Sequence, residues 1–319
     1  MLHSTSKFLD AYRKPDQWRN STRLLYHDNA PAHADLLTRR LLSNNITFPT
    51  LTFTIYKECV RTGCFPKKWK ISKMIPIPKL GRENINDASK YRPISLINVG
   101  GKVLEKILIN RIMHHLNKNN LMNKNQFGFT PGKGTTDAIL AVKDFIEEGI
   151  KQRHITILIT LEVKSAIDAA WWPSIIHALK EFNCPKDLYN LAKSYFSERK
   201  VTLYSNSKKI EREASKGCPQ GSCSGPGFWN IQYNSLLNLD FGKRTKAIAF
   251  ADDLLIAVKA ETAKEAENFA NTVKCRCTER QYNEMFRIAK LFLGPFPFPY
   301  LLCVKTFHFN EFRTFSITN

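Results

Sequence analysis

Two adjacent aspartates interrupt an apolar stretch in the last third of the chain. Asp252 and Asp253 follow Phe250-Ala251 and stand between the apolar runs 247–249 and 254–258. Such runs predict two buried β-strands, which puts the aspartates at a tight turn. Buried carboxylates need a counter-ion, and Mg²⁺ prefers one or two carboxylates plus substrate phosphates. The alternative is a plain hairpin whose Asp-Asp only makes the turn.

A glycine-rich segment precedes this turn. Residues 217–230 read Gly-Cys-Pro-Gln-Gly-Ser-Cys-Ser-Gly-Pro-Gly-Phe-Trp-Asn. Its Pro-Gln-Gly-Ser turn provides a backbone that a ligand can approach closely, because glycine has no side chain. A plain loop is the alternative for this segment. Its occurrence together with the acid pair favours a functional hairpin over a plain turn.

Together the two segments resemble the reverse transcriptase of non-LTR (LINE-type) retrotransposons. Residues 217–230 resemble the template–primer grip of that family, and residues 250–253 resemble its metal-binding hairpin. Further blocks in the family's order lie upstream, at residues 69–79, 91–96, 125–132 and 161–168. The whole resemblance covers roughly residues 50–260.

The resemblance implies transfer of dNTPs onto a primer with two bound Mg²⁺ (or Mn²⁺) ions. The implied catalytic residues are Glu162, Asp252 and Asp253, and the implied metal-binding residues are these three and Val163. The family has Asp where this chain has Glu162. Glu adds about 1.5 Å of reach, whereas catalytic geometry tolerates about 0.5 Å. We therefore expect weak activity or none; a solvated strand-end carboxylate is the alternative role of Glu162.

The resemblance also implies contacts to the substrates. The implied nucleotide-binding residues are Lys79, Arg92, Ile167 and Gln220, and the implied template–primer residues are Pro219, Gln220, Gly221 and Ser222. Arginine presents a planar fork that suits phosphate. Ile167 replaces an aromatic residue that, in the family, blocks the ribose 2′-hydroxyl. We expect weaker rejection of ribonucleotides, with core packing as the alternative role of Ile167.

The expected fold class is α+β. It is a right-hand polymerase with fingers over residues 49–155 and a palm over 156–260, whose antiparallel sheet is backed by helices. Apolar spacing predicts helices near 51–60, 103–112, 136–152, 171–182 and 261–286, a strand over 155–163 and a hairpin over 201–214. Residues 261–319 form an unassigned tail. We expect it to be poorly ordered, because Pro and Phe alternate near residue 296. We also expect the thumb of the family to be absent.

The amino-terminal part has a different character. Residues 24–33 resemble a mariner-type DNA transposase, whose His-Asp-Asn-Ala-Pro motif makes Asp28 the second of three catalytic acids. We assign residues 1–48 to such a fragment. The domain that carries the first acid is missing. The third acid is expected near Gly63, where no carboxylate stands, so we do not expect transposase chemistry. A DNA-binding module resting on residues 14–45 is a further hypothesis, although no helix-turn-helix is evident.

The charge of the chain predicts its partners. A chain with a net charge of +20 and a pI near 9.6 attracts polyanions. Nucleic acid is the first candidate partner, and a membrane surface is the alternative. We expect an RNA template, a DNA primer and dNTPs, no membrane, and an intracellular protein whose parent element acts in the nucleus. The alternative to an active polymerase is a catalytically dead, nucleic-acid-binding remnant of fused transposable elements.

Overall fold

The computed structural model describes residues 48–79, 90–163, 167–205, 208–278, 286–292 and 306–308. The proposed transposase residue Asp28 lies outside them. The described elements in chain order are α1 (Phe48–Thr62), β1 (Ile71–Pro78), β2 (Tyr91–Ile97), α2 (Val99–Lys118), α3 (Thr135–Lys151), β3 (Ile155–Val163), α4 (Trp172–Glu181), α5 (Lys186–Phe196), β4 (Lys200–Ser205), β5 (Lys208–Glu213), α6 (Gly225–Leu237), β6 (Thr245–Phe250), β7 (Asp253–Ala260), α7 (Ala263–Thr278), β8 (Phe286–Phe292) and β9 (Thr306–His308).

The chain forms two compact units. The first unit contains the described residues 123–163 and 233–278 with β8 and β9, and the second contains the described parts of 48–122 and 167–232. The boundary falls within α6, after Gln232.

An antiparallel five-stranded sheet with the order β6-β7-β3-β8-β9 forms the first unit. The β-branched run 155–163 becomes β3 with the predicted bounds. Helix α3 packs on the sheet through Ala138, Val142 and Ile146, which contact a core that includes Leu158, Ile248 and Leu255. The apolar spacing of residues 136–152 also predicts that Leu140 points inward, and this is wrong because its side chain is 47% exposed. Residues two apart face opposite sides of a helix, and Leu140 is two from both Ala138 and Val142.

The predicted helix over 261–286 is confirmed only in part. Helix α7 ends at Thr278, and residues 286–292 form β8, which pairs with β3. This long-range pairing was not recognisable from the local pattern, and it incorporates Leu291 and Phe292 into a strand. Residues 306–308 form β9, which pairs with β8, and the other tail residues beyond Phe292 lie outside the described ones.

The second unit contains a four-stranded sheet with the order β2-β1-β4-β5. The β1–β2 and β4–β5 pairs are antiparallel, whereas β1 and β4 run parallel. The predicted stripe of α2 is buried through Leu104, Leu108 and Ile112. A second part of the core is aromatic, since the rings of Tyr195, Phe196 and Phe228 pack against one another. No helix in the described part of either unit is long and apolar enough to cross a bilayer.

Candidate active site

The Asp-Asp motif lies at the tip of the β6–β7 hairpin in the first unit. Phe250 pairs with Asp253, so that Ala251 and Asp252 form a two-residue turn. Ala251 has a φ of 59°, which is the left-handed region that such hairpin turns require. The hydroxyl of Tyr233 donates a hydrogen bond of 3.3 Å to the main-chain oxygen of Asp252. Both aspartates are half-buried, as expected for carboxylates at the edge of a core.

The third predicted acid lies on the neighbouring strand. Glu162 is the antiparallel partner of Asp253 in the register of β3 with β7. On the other side of β3, the register with β8 shifts between Glu162 and Val163. Such irregularities often occur next to active sites, where they redirect a strand. The fold therefore brings the backbone of Glu162 to the Asp-Asp turn.

The donor chemistry at this turn suits a hard divalent cation. Mg²⁺ binds carboxylate oxygens, and Asp252 and Asp253 provide two carboxylates at adjacent positions. Among the side chains that the structure describes, no three His, Cys, Asp or Glu residues form a complete metal cluster. The side chains of Glu162 and Val163 are not among those described, so the described candidate ligands are the two aspartates.

In the second unit, the Pro219-to-Ser222 turn is held against β2. The amide of Ser95 donates to the main-chain oxygen of Gln220 at 2.8 Å, and Ile94 forms a parallel bridge with Gln220. Gly221 has a φ of 103°, and a Cβ there would lie 2.9 Å from the Ser95 carbonyl oxygen. A glycine is therefore required at this position, because any side chain would push the turn away from the strand.

The side chain of Gln220 is bound within the same unit. Its Nε2 donates a hydrogen bond of 2.7 Å to Oδ2 of Asp168. Burial raises the pKa of Asp168, although this hydrogen bond and the positive charge of Lys79 act in the opposite direction. Gln220 and Asp168 are thus joined within the second unit, which also contains Lys79.

The other two predicted nucleotide-binding residues belong to the same unit. Ile167 is half-buried in a 3₁₀ turn, and its carbonyl oxygen accepts a hydrogen bond of 2.8 Å from the amide of Cys218. Arg92 is exposed on β2, opposite Ile77. Its position leaves the guanidinium accessible to a ligand, as a phosphate-binding role requires.

Ser222, predicted to contact the template–primer, is a buried residue. Its Oγ donates to Oε2 of Glu105 at 2.8 Å and accepts from the amide of Gly225 at 3.2 Å, which caps α6. Glu105 also accepts from the amide of Cys223 at 3.0 Å. A negative charge is favourable at a helix N-terminus, so Glu105 stabilises the start of α6.

Glu105 was not identified from the sequence. It is fully buried on α2, and its second oxygen, Oε1, has no hydrogen-bond partner in the described part of the chain. The sequence feature that could have identified it is an acidic residue next to Leu104, among the apolar positions that α2 buries. A charge at such a position needs polar partners.

Residues 77–288 match the family described as reverse transcriptase (RNA-dependent DNA polymerase). The chain is 32% identical over 231 residues to a retrovirus-related Pol polyprotein from the type-1 retrotransposable element R1 of Bradysia coprophila, which covers 72% of this chain and 22% of that protein. It is 29% identical over 219 residues to the RNA-directed DNA polymerase from mobile element jockey of Drosophila funebris, which covers 66% and 24%. This chain therefore spans less than a quarter of the length of these relatives.

Solved telomerase structures share the fold. Apo telomerase from Candida tropicalis has a TM-score of 0.53 at 9% identity, over 76% of this chain and 48% of that one. Telomerase from Candida albicans in complex with a TWJ fragment of telomeric RNA has a TM-score of 0.53 at 11% identity, over 76% and 47%. These similarities confirm the predicted α+β fold of a polymerase fingers and palm. The match over residues 77–288 shows that this chain belongs to the reverse transcriptase (RNA-dependent DNA polymerase) family, and its relatives confirm the predicted relation to LINE-type retrotransposons.

Proposed function

We propose that this chain carries the nucleotidyl-transfer centre of an RNA-directed DNA polymerase. The observation that carries the proposal is the direct pairing of Glu162 with Asp253, the second acid of the hairpin turn. Family membership supplies the reaction class, and the pairing supports convergence of acids from two adjacent strands. The assignment of residues 49–155 to fingers and 156–260 to a palm belongs to the same proposal.

The residues of the turn would hold the metal ions. Glu162, Val163, Asp252 and Asp253 are the proposed ligands, and Mg²⁺ or Mn²⁺ held by them would supply charge neutralisation for the transfer. Phosphoryl transfer depends mainly on positioning and on charge stabilisation. The chain's own contribution is therefore to orient these acids at the end of the β3–β7 ladder.

The second unit would hold the substrates. Lys79 and Arg92 are the proposed contacts of the incoming triphosphate, and Ile167 is the proposed contact of its sugar. The Pro219–Ser222 turn would support the template–primer. The backbone of Gly221 would lie close to the duplex, and the buried Ser222 would stabilise the turn. The proposed partners are an RNA template, a DNA primer and dNTPs, and the nucleus is the proposed site of action of the parent element.

A catalytically dead nucleic-acid-binding remnant is the second candidate. The observation that favours it is the identity of residue 162, since Glu is one methylene longer than the Asp that the family's site uses. A site displaced by about 1 Å loses about a hundredfold in rate. The net charge of +20 would still bind nucleic acid in that case.

Primer extension on poly(rA)·oligo(dT), with Mg²⁺ or with Mn²⁺, tests the proposal. We expect slow extension by the parent chain and none by Asp252→Asn. Asp144→Asn makes the same change at an exposed position of α3 and should leave the rate unchanged. Equal extension by the parent and Asp252→Asn would contradict the proposed roles. Duplex binding without any extension by the parent would favour the remnant.

We also propose that residues 1–48 derive from a mariner-type transposase and take no part in polymerisation. The support is the His27-Asp28-Asn29-Ala30-Pro31 sequence alone. Asp28→Asn should leave both duplex binding and primer extension unchanged. A loss of either would show that this part of the chain contributes to the polymerase.

A further inference from the structure

A buried glutamine contacts the turn that carries the two aspartates. Gln126 is 3% exposed and precedes α3 in the first unit. Its Oε1 accepts a hydrogen bond of 3.2 Å from the amide of Ala251, and its Nε2 donates one of 3.2 Å to the carbonyl oxygen of the same residue. One side-chain amide thus binds both main-chain groups of the residue immediately before Asp252.

Ala251 needs such support because of its backbone conformation. Its φ of 59° lies in the left-handed region, which an alanine rarely adopts. Unfavourable conformations of this kind persist where the surrounding structure holds them in place. The conformation of Ala251 sets the direction in which the chain enters Asp252 and then Asp253.

The backbone around Gln126 is joined to the same hairpin. The amide of Phe127 donates to the carbonyl oxygen of Ala249 at 2.8 Å, and the amide of Ala249 donates to that of Asn125 at 2.9 Å. Residues 125–127 therefore extend along β6, next to the turn. This pairing aligns the Gln126 amide with Ala251.

Gly128 permits the close approach of the two segments. A Cβ at this position would collide with the amide nitrogen of Ala251 and would lie 2.7 Å from its Cα. The amide of Gly128 also donates to Oε1 of Gln126 at 2.9 Å, which fixes the glutamine rotamer. Any larger residue would separate the loop from the turn.

The start of this loop is anchored to α6 in the first unit. The amide of Asn123 donates to Oδ1 of Asn234 at 2.7 Å, and its Nδ2 donates to the carbonyl oxygen of Leu237 at 2.9 Å. Oδ1 of Asn123 accepts from the amide of Asn125 at 2.9 Å. The glutamine is therefore presented from a loop that is held at both ends.

We propose that Gln126 is a positioning residue for the two aspartates. It holds Ala251 in its left-handed conformation and thereby orients Asp252 and Asp253 toward the cations that they would bind. The metal-binding part of this inference rests on the proposed function, whereas the restraint of the turn does not. Removal of a residue that supports metal ligands commonly weakens metal binding about 10- to 100-fold.

The test compares Gln126→Met with Gln152→Met in the full chain. Methionine is close to glutamine in length but makes none of the three hydrogen bonds, and Gln152 is an exposed residue of the same unit. Hydrogen exchange is measured on peptides covering residues 247–255. Mn²⁺ affinity is measured by electron paramagnetic resonance on the complex with poly(rA)·oligo(dT) whose primer ends in a dideoxynucleotide.

For Gln126→Met we expect exchange at the turn to rise about tenfold and Mn²⁺ affinity to fall about tenfold, with unchanged duplex affinity and unchanged exchange in α5. Gln152→Met should match the parent in every measurement. Unchanged exchange at the turn, or raised exchange with unchanged Mn²⁺ affinity, would overturn the inference.

A parent chain that binds no Mn²⁺ would refute the proposed metal chemistry, and the exchange result would still decide whether Gln126 restrains the turn. If Gln126→Met does not fold, Gln126→Asn takes its place. Asparagine keeps the amide but is one methylene too short to bind both groups of Ala251. The same changes in exchange and affinity are expected, and their absence would equally overturn the inference.

Discussion

Glu162 on β3 lies directly opposite Asp253 on β7, beside the turn that also carries Asp252. Two of the acids predicted from distant parts of the chain are therefore paired in one antiparallel ladder, and the third is in the adjoining turn. The residue from β3 is a glutamate, which is one methylene longer than the aspartate of the family's site. The consequence for catalysis can be measured.

Glu162→Asp should raise the rate of primer extension. The shorter side chain restores the reach that the family's site uses, and a correction of about 1 Å is worth up to about a hundredfold. Single-nucleotide incorporation with Mg²⁺ measures the effect. Glu147→Asp, the same change at an exposed position of α3, is the control and should not alter the rate. Equal rates for Glu162→Asp and the parent would contradict a role of this position in catalysis.

Ile167→Phe should strengthen the preference for dNTPs over rNTPs by about tenfold. A ring at this half-buried position would fill the space next to the ribose 2′-hydroxyl, while the main-chain contact with Cys218 is retained. Competing incorporation of the two substrates provides the measurement. Ile210→Phe places the same ring at an exposed position of β5 and should leave the preference unchanged. An unaltered ratio in both variants would assign Ile167 to core packing.

Asp168→Asn should become more stable than the parent as the pH rises. Because burial raises the pKa of Asp168 in the folded state, both chains carry a neutral side chain below the unfolded pKa of about 3.9 and should not differ. Above it, the parent progressively loses stability until the pH exceeds the folded pKa. Asparagine never ionises and still accepts a hydrogen bond from Gln220.

Thermal unfolding of Asp168→Asn and the parent between pH 3 and pH 8, with exposed Asp144→Asn as the control, checks this prediction. The difference in Tm should be near zero at the acidic end and should favour Asp168→Asn at neutral pH. A lower Tm for Asp168→Asn at neutral pH would show that the ionised carboxylate is stabilising, contrary to the raised pKa.

Glu105→Ala should lower the free energy of unfolding by about 2 kcal/mol, because the buried hydroxyl of Ser222 and the amide of Cys223 would lose their acceptor. Glu147→Ala removes an exposed glutamate from α3 and should change stability by less than about 0.5 kcal/mol. Urea denaturation of both variants gives the comparison. Similar values for the two would exclude a structural role of Glu105 at the start of α6.

Local patterns predicted several elements closely. Strand β3 has the predicted bounds, and α3 begins and ends within one residue of its prediction, because their apolar residues repeat with the period of a buried strand or an amphipathic helix. The hairpin formed by β4 and β5 is confirmed for the same reason. The acidic turn between two apolar runs was also recognisable, since charge inside an apolar segment requires a specific explanation.

Long-range relationships were beyond such patterns. The addition of β8 to β3, the parallel pairing of β1 with β4, and the burial of Glu105 depend on partners that are distant in the chain. The same holds for the contact of Gln126 with Ala251, since a glutamine in a loop carries no periodic signal.

The sequence by itself determined the family and the fold class and predicted the acidic residues of the candidate site, because these depend on residue types in a fixed order. Only the tertiary structure decided which residues face one another across the ladder and which buried side chains support the two turns. The physical reason is that strand register and buried hydrogen bonds are set by many simultaneous contacts between distant segments, whereas periodicity reports only on neighbours along the chain.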